Sequence, residues 1–515
     1  MSTERGGGSG TAGVFVGRAH VLAELDAALD DAEAERGSLV LVTGDPGIGK
    51  TQLTSELAVR ARARGVLVLR GTCWEGGGAP AYWPWAQVFR AWMRAANAAS
   101  LDDLAVRPVD LAALVPERRP AAATTQPQDA EGDRFRLFDA LTDALLRGAE
   151  RQPILLVLDD LHWADVSSVL ALRFLAGELH HARLLVVGAY RDVEVGQGHP
   201  LAAALGDLAR SARLLPLSGL ARDEVARFIA IITGVEPHPD LVGAVSGQTG
   251  GNPLFVRELV RLAWQEGSMA SLAAMSSAAQ AMPAGVREVI ARRLRLLEGD
   301  ARAVLEVASV VGEAFTLEVV ARTSGLDRRR LLCALEHAID ARLITPEPGT
   351  PGRYRFAHAL IREVVYQRLP AERLAWLHGR TGEALEGLYG DAGEHLAAIA
   401  SHYLRAAPLG GGERALRYAQ RAGERALAML AWEEAASHFE RALGVCDLEP
   451  DVAGVDRRCE LHLALGRAHV WAESVLGISP RRADGRTGAA GWPSRFRPRA
   501  ARRRPDLAPP AARGG

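Results

Sequence analysis

The stretch SLVLVTGDPGIGKT, from Ser38 to Thr51, constrains the fold of this chain more than any other. Its apolar run stops at a glycine-rich turn that ends in lysine and threonine, which predicts a strand, a tight loop and a helix that begins near Lys50. The glycines allow backbone N–H groups to face an anion, and the helix N-terminus adds positive potential. The spacing is that of a phosphate-binding loop, whose residues here are Gly44, Asp45, Pro46, Gly47, Ile48, Gly49, Lys50 and Thr51.

Lys50 is the only lysine among the 61 lysine and arginine residues of the chain. A compact, flexible ammonium suits a loop that cradles phosphates better than a forked guanidinium does. Lys50 is therefore predicted to reach the β- and γ-phosphates of ATP or ADP, and Thr51 to offer its hydroxyl to Mg²⁺. The alternative is a glycine turn that ends in Lys-Thr by chance, but the strand before it and the helix after it argue against that.

A second apolar run, PILLVLDD from Pro153 to Asp160, ends in two carboxylates. A continuous apolar run suits a central parallel strand, and ligands meet such strands at their carboxyl ends. Asp159 is predicted to hold Mg²⁺, directly or through water, and Asp160 to orient or activate the attacking water. A surface turn can also carry Asp-Asp, but the apolar strand before it disfavours that interpretation. Asp165 is predicted to cap the next helix.

A third apolar run, LLVVGAY from Leu184 to Tyr190, leads into Arg191 and Asp192. At the carboxyl end of a strand, Arg191 could reach the γ-phosphate and take part in catalysis. A surface ion pair with Asp192 is an equally good interpretation, and the sequence leaves both open.

Composition narrows the class of protein. A chain of 515 residues with 48% hydrophobic and 24% charged residues is typical of a folded protein of about three to four domains. The net charge of −1 argues against general attraction to nucleic acid or to an acidic membrane. The 4 cysteines lie far apart without CxxC spacing, which predicts reduced thiols and a cytoplasmic location. We expect neither a membrane span nor a signal peptide.

Beyond residue 217 the pattern becomes helical. Between residues 283 and 372, three helices and two strands around the tip TPEPGTPG predict a winged helix. Further on, AWEEAASHFERALGVC has the spacing of a tetratricopeptide unit. From Ser479 onward, 10 arginines accompany 2 aspartates without an apolar period. That segment is either a basic tail that does not fold alone or a GC-rich coding sequence translated out of frame.

These patterns predict an α/β P-loop NTPase domain, with a parallel sheet and helices on both faces, followed by an all-α lid, a winged helix and tetratricopeptide-like helical repeats. The expected boundaries are a disordered N-terminus at 1–12, the ATPase core at 13–217, the lid at 218–267, a linker at 268–282, the winged helix at 283–372, the repeats at 373–470 and a basic disordered tail at 471–515.

Seven segments together resemble the ATPase part of large bacterial LuxR-type regulators: FVGR, GDPGIGKT, APAYWPW, LLVLDDLHWAD, AYRD, TGGNPLFVREL and YRFAHALIREVVY. Those regulators belong to the signal-transduction ATPases with numerous domains, and the same module occurs beside soluble adenylate cyclases. The resemblance implies binding of ATP or ADP with Mg²⁺, a repeat arm that senses a protein or small-molecule inducer, self-oligomerisation of the ATP-bound form, and an output. We expect no cyclase domain and no helix-turn-helix here, so that a partner supplies the output or it is missing.

The resemblance also implies contacts with the nucleotide. The residues concerned are Val16, Gly17 and Arg18 in the adenine pocket, Pro253 in a turn that closes over the nucleotide, and His358 as a contact that depends on the nucleotide state. Each has a structural alternative: a helix-entry turn at 16–18, a helix start capped by Asn252, and a satisfied core histidine.

Three functions compete at this point. The first is a regulatory switch that binds ATP, hydrolyses it slowly and controls transcription through its output. The second is a turnover ATPase of the AAA motor type, disfavoured because Asp160 stands where such motors carry glutamate. The third is an origin-recognition-like ATPase that binds DNA through its winged helix. We expect this chain to bind DNA only weakly and without sequence preference.

Overall fold

The computed structural model describes residues 15–74, 78–95, 130–192, 201–265, 299–347, 349–390 and 393–475, together with residues 195, 199, 290, 294 and 297. The predicted N-terminal segment 1–12 and the predicted linker 268–282 lie outside the described residues, as does the predicted tail from residue 476 onward.

The N-terminal part is built on a five-stranded parallel sheet with strand order β2-β3-β4-β1-β5. Its strands are β1 (Ser38–Thr43), β2 (Leu67–Thr72), β3 (Ile154–Asp159), β4 (Leu184–Ala189) and β5 (Arg213–Pro216). Strands β3 and β4 are buried along their whole length, which explains their continuous apolar sequences. Strand β5 has no clear signal in the sequence, because only Leu215 of its residues is buried.

Helices cover both faces of this sheet, as the sequence predicts. They are α1 (Ala19–Glu33), α2 (Lys50–Ala63), α3 (Trp83–Ala95), α4 (Ala130–Arg151), α5 (Val166–Ala176) and α6 (Ala202–Ser211). Alternate residues of β1 point to opposite faces. Val40 and Val42 pack with α1 and α2, whereas Leu39 and Leu41 pack with α3, α4 and α5. Because both faces are covered, the carboxyl ends of the strands are the edge at which a ligand can bind.

Three further helices form an apolar cluster of their own beyond β5. They are α7 (Arg222–Thr233), α8 (Pro239–Thr249) and α9 (Pro253–Gln265). Val225, Val245 and Val256 are fully buried in this cluster. The region predicted as an all-α lid, 218–267, is thus helical where the structure describes it.

The next region combines helices with a small antiparallel sheet. Its elements are α10 (Gly299–Val311), β6 (Ala314–Thr316), α11 (Leu317–Ser324), α12 (Arg328–Asp340), β7 (Ile344–Pro346), β8 (Arg353–Phe356) and α13 (Ala359–Gln367). The two strands expected around the tip are present as the antiparallel pair β7–β8, and a third strand, β6, that the sequence did not predict pairs with β8. Strand β6 is too short to show a pattern, and it exists because Phe315 pairs with Tyr354 across the sheet.

Five helices end the described part of the chain. They are α14 (Ala371–Tyr389), α15 (Leu396–Ala406), α16 (Gly412–Ala428), α17 (Trp432–Leu448) and α18 (Val455–Val475). Each helix packs on the next, as expected for helical repeats. Helix α18 runs to Val475 and crosses the boundary predicted at residue 470, because the helical backbone continues past the end of the apolar pattern.

The helical repeats also pack against the ATPase core. The Tyr82 hydroxyl donates a hydrogen bond to the Leu430 carbonyl oxygen at 3.3 Å, across 348 residues of sequence. Tyr82 and Trp85 are both fully buried. Among the described helices, none combines the length and the apolar character needed to cross a bilayer.

Candidate nucleotide-binding site

The loop between β1 and α2 has the backbone that its glycines predict. Gly44, Gly47 and Gly49 have φ angles of 141°, 79° and 107°, in the region that residues with a side chain avoid. Helix α2 begins at Lys50 directly after them. Lys50 is buried, and its ammonium donates hydrogen bonds to the carbonyl oxygens of Gly44 at 2.7 Å and Asp45 at 3.0 Å. The loop therefore curls around the lysine at the N-terminus of a helix, the arrangement that binds phosphate.

A cavity of about 1260 Å³ opens in front of this loop. Nine of the predicted site residues line it: Gly47, Gly49, Lys50, Thr51, Asp159, Asp160, Arg191, Pro253 and His358. They come from the core, from the lid helices and from the region around β8. Elements separated by about 300 residues in the sequence thus meet around one space large enough for a nucleoside triphosphate.

Asp159 lies at the carboxyl end of β3 and is 3% exposed. Its Oδ2 atom forms an ion pair with Nη2 of Arg70 at 3.0 Å, while its buried Oδ1 atom has no hydrogen-bond partner in the described structure. Burial raises the pKa of Asp159, and Arg70 and Lys50 oppose that rise. Thr51 and Asp159 line the same cavity, and a carboxylate oxygen without a hydrogen-bond partner fits a hard cation, so the two residues could hold Mg²⁺.

Asp160 follows Asp159 with a left-handed backbone, at φ 57°. Aspartate adopts this conformation more readily than most residues with a side chain, and here it makes the tight turn that ends β3. Burial raises the pKa of Asp160 to about 7, with the negative charges of Asp159 and Glu313 adding to the effect. A carboxyl group with such a pKa can exchange a proton near neutral pH.

Lys50 and Arg191 share the positive side of the cavity. Burial and, after it, the charge of Arg191 lower the pKa of Lys50 to about 8, against the opposing effect of Asp160. Two neighbouring positive charges repel each other, and an anion between them, such as a phosphate group, relieves this repulsion. Arg191 lines the cavity, and its contact with the γ-phosphate stays a prediction.

The turn of Val16, Gly17 and Arg18 lies behind the loop, and these three residues do not line the cavity. The Arg18 guanidinium donates a hydrogen bond to the Ile48 carbonyl oxygen at 3.1 Å, and the Arg18 backbone N–H donates to Glu224 of α7 at 3.2 Å. Val16 packs against the lid helices. The turn thus joins the phosphate loop to the lid, whereas its predicted contact with adenine stays a prediction.

Asn252 makes a second connection between the lid and the loop. Its Oδ1 atom accepts a hydrogen bond from the Leu254 backbone N–H at 3.1 Å, so it caps α9, and its Nδ2 atom donates to the Pro46 carbonyl oxygen at 2.9 Å. Pro253 is the first residue of the helix and lines the cavity. The capped helix start is confirmed, and the same cap ties the lid to the loop.

His358 reaches the cavity from the far side. It precedes α13, and its Nδ1 atom accepts a hydrogen bond from the Leu360 backbone N–H at 3.2 Å. Burial lowers the pKa of His358 to about 3, and the charges of Arg257 and Arg191 contribute. The imidazole is therefore neutral at physiological pH. It is a helix cap that also borders the cavity, and its dependence on the nucleotide state stays a prediction.

Several residues that line the cavity do not belong to any motif that predicted the site. Arg70, Arg257, Glu313 and Arg355 line the same cavity. Arg70 has a signal in the sequence, because it stands near the carboxyl end of a short apolar strand. Glu313 and Arg355, which form an ion pair at 3.0 Å, reach the site only through the packing of the C-terminal part.

Comparison with known proteins agrees with this geometry. Residues 14–187 match the AAA ATPase domain family. A curated relative, the uncharacterized protein R02095 of Rhizobium meliloti (strain 1021), is 28% identical over 459 residues, which cover 84% of this chain and 43% of that protein. The chain thus spans less than half the length of that relative.

Two similar solved structures come from archaea. One is the signal transduction ATPase with numerous domains (STAND) protein with a tetratricopeptide repeat sensor, PH0952, from Pyrococcus horikoshii, at TM-score 0.49 and 14% identity over 90% of this chain and 64% of that one. The other is the Walker-type ATPase PABY2304 of Pyrococcus abyssi, at TM-score 0.35 and 13% identity over 68% of this chain and 96% of that one. With the phosphate loop and the paired carboxylates in place, residues 14–187 are an AAA-type P-loop ATPase domain.

Proposed function

We propose that this chain is an ATP-binding regulatory switch of the signal-transduction ATPase class, with slow Mg²⁺-dependent hydrolysis. The proposal rests on the wall of the cavity. Residues of the phosphate loop, of the lid helix α9 and of the segment from β8 to His358 form this wall together. A nucleotide bound there contacts all three at once. Whether the nucleotide is ATP or ADP therefore biases how these three parts pack against one another.

The residues of the cavity suit this task. Lys50 and Arg191 neutralise phosphate charge, and the Thr51 hydroxyl and Asp159 would hold Mg²⁺. When bound, Mg²⁺ supplies further charge neutralisation to the terminal phosphates. Asp160 orients the attacking water and accepts its proton. Burial raises the pKa of Asp160 to about 7, which suits a group that takes up and releases a proton near neutral pH.

The helical repeats are positioned to report on an inducer. Helix α17 packs on the core through Glu433, which pairs with Arg134 at 3.1 Å, and Glu434, which accepts a hydrogen bond from the Ser167 hydroxyl at 2.6 Å. We propose that a protein or small-molecule inducer at the repeats competes with this packing. Once the repeats no longer pack on the core, the ATP-bound protein self-associates and controls transcription through an output domain or partner.

The test compares two variants of the full chain. We expect Lys50→Ala to abolish binding of ATP and ADP in calorimetry, because the loop loses the ammonium around which it is built. Asp160→Asn is the matched control within the same cavity, and it should bind ATP and fail to hydrolyse it. Undiminished ATP affinity in a folded Lys50→Ala protein would refute the site. Fast hydrolysis by the parent that duplex DNA stimulates would favour a motor or an origin-recognition-like ATPase over the switch.

A further inference from the structure

Arg70 stands between two parts of the candidate Mg²⁺ site. It lies on β2, which pairs in parallel with β3 so that Arg70 is opposite Val157 and Thr72 is opposite Asp159. Its Nη2 atom donates hydrogen bonds to the Thr54 hydroxyl at 2.7 Å and the Ser55 hydroxyl at 3.2 Å, and it pairs with Asp159 Oδ2 at 3.0 Å. One guanidinium thus joins the helix that follows the phosphate loop to the acid at the end of β3.

The hydrogen bonds continue from Arg70 to Thr51. The Thr54 hydroxyl donates to the Thr51 carbonyl oxygen at 3.1 Å, and the Ser55 hydroxyl donates to the same oxygen at 2.6 Å. Thr51 and Asp159 are the two residues that would hold Mg²⁺. Arg70 is thus linked to Thr51 through Thr54 and directly to Asp159. These links therefore set the distance between Thr51 and Asp159.

Asp159 needs such a partner because of its burial. A carboxylate that is 3% exposed is costly unless a positive charge and hydrogen bonds compensate it. Arg70 occupies Oδ2 only, and the buried Oδ1 has no hydrogen-bond partner in the described structure. The carboxylate is thus held by one oxygen while the other remains available to a cation or its bound water.

We infer that Arg70 is a positioning residue for Mg²⁺, an inference that rests on the proposed function. It orients Asp159 through one oxygen and fixes the helix that carries Thr51, so that both ligands are arranged before Mg²⁺ and nucleotide arrive. Arg70 acts through these two residues and takes no part in the reaction itself. Arg70 has two alternative roles, which the experiment below distinguishes. It could only compete with Mg²⁺ for Asp159, or it could only stabilise the fold through its ion pair.

The experiment measures ATP affinity of the full chain as a function of free Mg²⁺, with a parallel titration in EDTA. Arg70→Gln should raise the Mg²⁺ concentration at half-effect roughly tenfold, the size expected when the partner of a metal ligand is lost. Affinity for ATP in EDTA should change less than twofold, because the phosphate loop is intact. Arg70→Lys should recover part of the loss, since it restores the charge without the fork.

Two further variants separate positioning from folding. Arg60→Gln is the matched control, because Arg60 lies on α2, the helix that carries Thr51 and Thr54, and pairs with Asp26 and Glu56 on a surface that does not line the cavity. It should leave the Mg²⁺ dependence unchanged. Thr54→Val removes the hydroxyl link and keeps the charge of Arg70, so it should shift the Mg²⁺ dependence in the same direction by a smaller factor. It also serves as the test if Arg70→Gln does not fold.

The outcomes are distinct. A folded Arg70→Gln protein with the parent's Mg²⁺ dependence makes Arg70 a structural ion pair, and one that binds Mg²⁺ more tightly makes it a competitor. An equal loss of ATP affinity with and without Mg²⁺ places Arg70 in the phosphate site. Each of these overturns the inference while the proposed function stands. Failure of the parent protein to bind any nucleotide instead removes the proposed function.

Discussion

At the scale of single residues, two histidines of the repeats form a buried polar contact. The Nδ1 atoms of His378 and His402 lie 2.9 Å apart, and His378 Nε2 lies 3.0 Å from the Tyr366 hydroxyl. Burial lowers the pKa of both imidazoles, to about 3 for His402, with His402, Arg405 and Arg362 adding to the effect on His378. Both rings are therefore neutral in the folded protein near neutral pH. The N–H group of one ring donates a hydrogen bond to the Nδ1 atom of the other.

This pair predicts that acid weakens the fold. In the unfolded chain a histidine binds a proton below about pH 6.5, whereas the folded pair does so only below about pH 3. The unfolded state therefore binds more protons within that window, and stability falls as pH falls through it. Between pH 7.5 and pH 5, each histidine should lower the free energy of unfolding by about 2 kcal/mol.

Urea unfolding of the parent and of His378→Asn at both pH values checks the effect. The loss of stability on acidification should be smaller in His378→Asn, even though the variant is less stable at pH 7.5. The exposed His20, replaced by asparagine, is the control and should leave the difference between the two pH values unchanged. A parent and a His378→Asn variant with the same acid sensitivity would contradict the assignment.

At the scale of elements, helices α16 and α17 approach each other closely at Gly423. A Cβ atom at this position would lie 2.7 Å from the Phe439 ring, which is fully buried. Glycine costs a helix up to about 1 kcal/mol relative to alanine, so its presence in the middle of α16 has a packing reason. The contact between the two helices decides the residue type here.

Replacement of two glycines by alanine separates packing from helix propensity. Gly423→Ala should lower the free energy of unfolding by about 1 kcal/mol, because overpacking of about 1–3 kcal/mol exceeds the gain in propensity. Gly444→Ala is the matched control in α17, where an added Cβ meets nothing within 4 Å, and it should stabilise the protein by up to about 1 kcal/mol. Chemical denaturation measures both. Equal stabilisation by the two substitutions would show that α16 and α17 can separate without cost.

At the scale of the whole molecule, a buried ion pair attaches the repeats to the ATPase core. Arg134 is 1% exposed, pairs with Glu433 and lies with its guanidinium 4.8 Å from the centre of the Trp432 ring. The neighbouring Glu434 is partly buried, and desolvation together with the charge of Asp165 raises its pKa. Asp165, confirmed as a helix cap, accepts a hydrogen bond from the Ser168 backbone N–H at 2.8 Å, six residues beyond Asp159. The interface thus begins next to the candidate catalytic segment.

Removal of Arg134 should loosen this interface. Arg134→Met leaves the partly buried carboxylates of Glu433 and Glu434 without their cation. Because breaking a fully buried pair costs about 3 kcal/mol or more, the cost here should be smaller than that. Hydrogen exchange should then accelerate in α17 and α5 while the central sheet stays protected. Arg136→Met is the control, since Arg136 lies exposed on the same helix and pairs with Asp133. Unchanged exchange in α17 of Arg134→Met would mean that apolar packing alone holds the repeats in place.

The sequence by itself determines the local structure of the site. The phosphate loop, the strand that ends in Asp159 and the helix caps at Asp165 and Asn252 all depend on neighbours within a few residues, so pattern and spacing reveal them. The roles of Lys50, Thr51, Asp160 and Arg191 toward nucleotide follow from the same local motifs and stay predictions.

Only the tertiary structure decided which distant parts share the cavity. Strands β5 and β6 form because β1 and β8 offer them hydrogen bonds, and their own sequences are too short to carry a signal. Arg70 becomes part of the candidate Mg²⁺ site because β2 pairs with β3, and Arg355 reaches it because the C-terminal half folds back over the phosphate loop. Contacts of this kind depend on chain segments far apart in sequence, for which no local pattern exists. The physical reason is that pairing and packing between elements are properties of the folded whole, whereas turns, caps and amphipathic faces are properties of the segment.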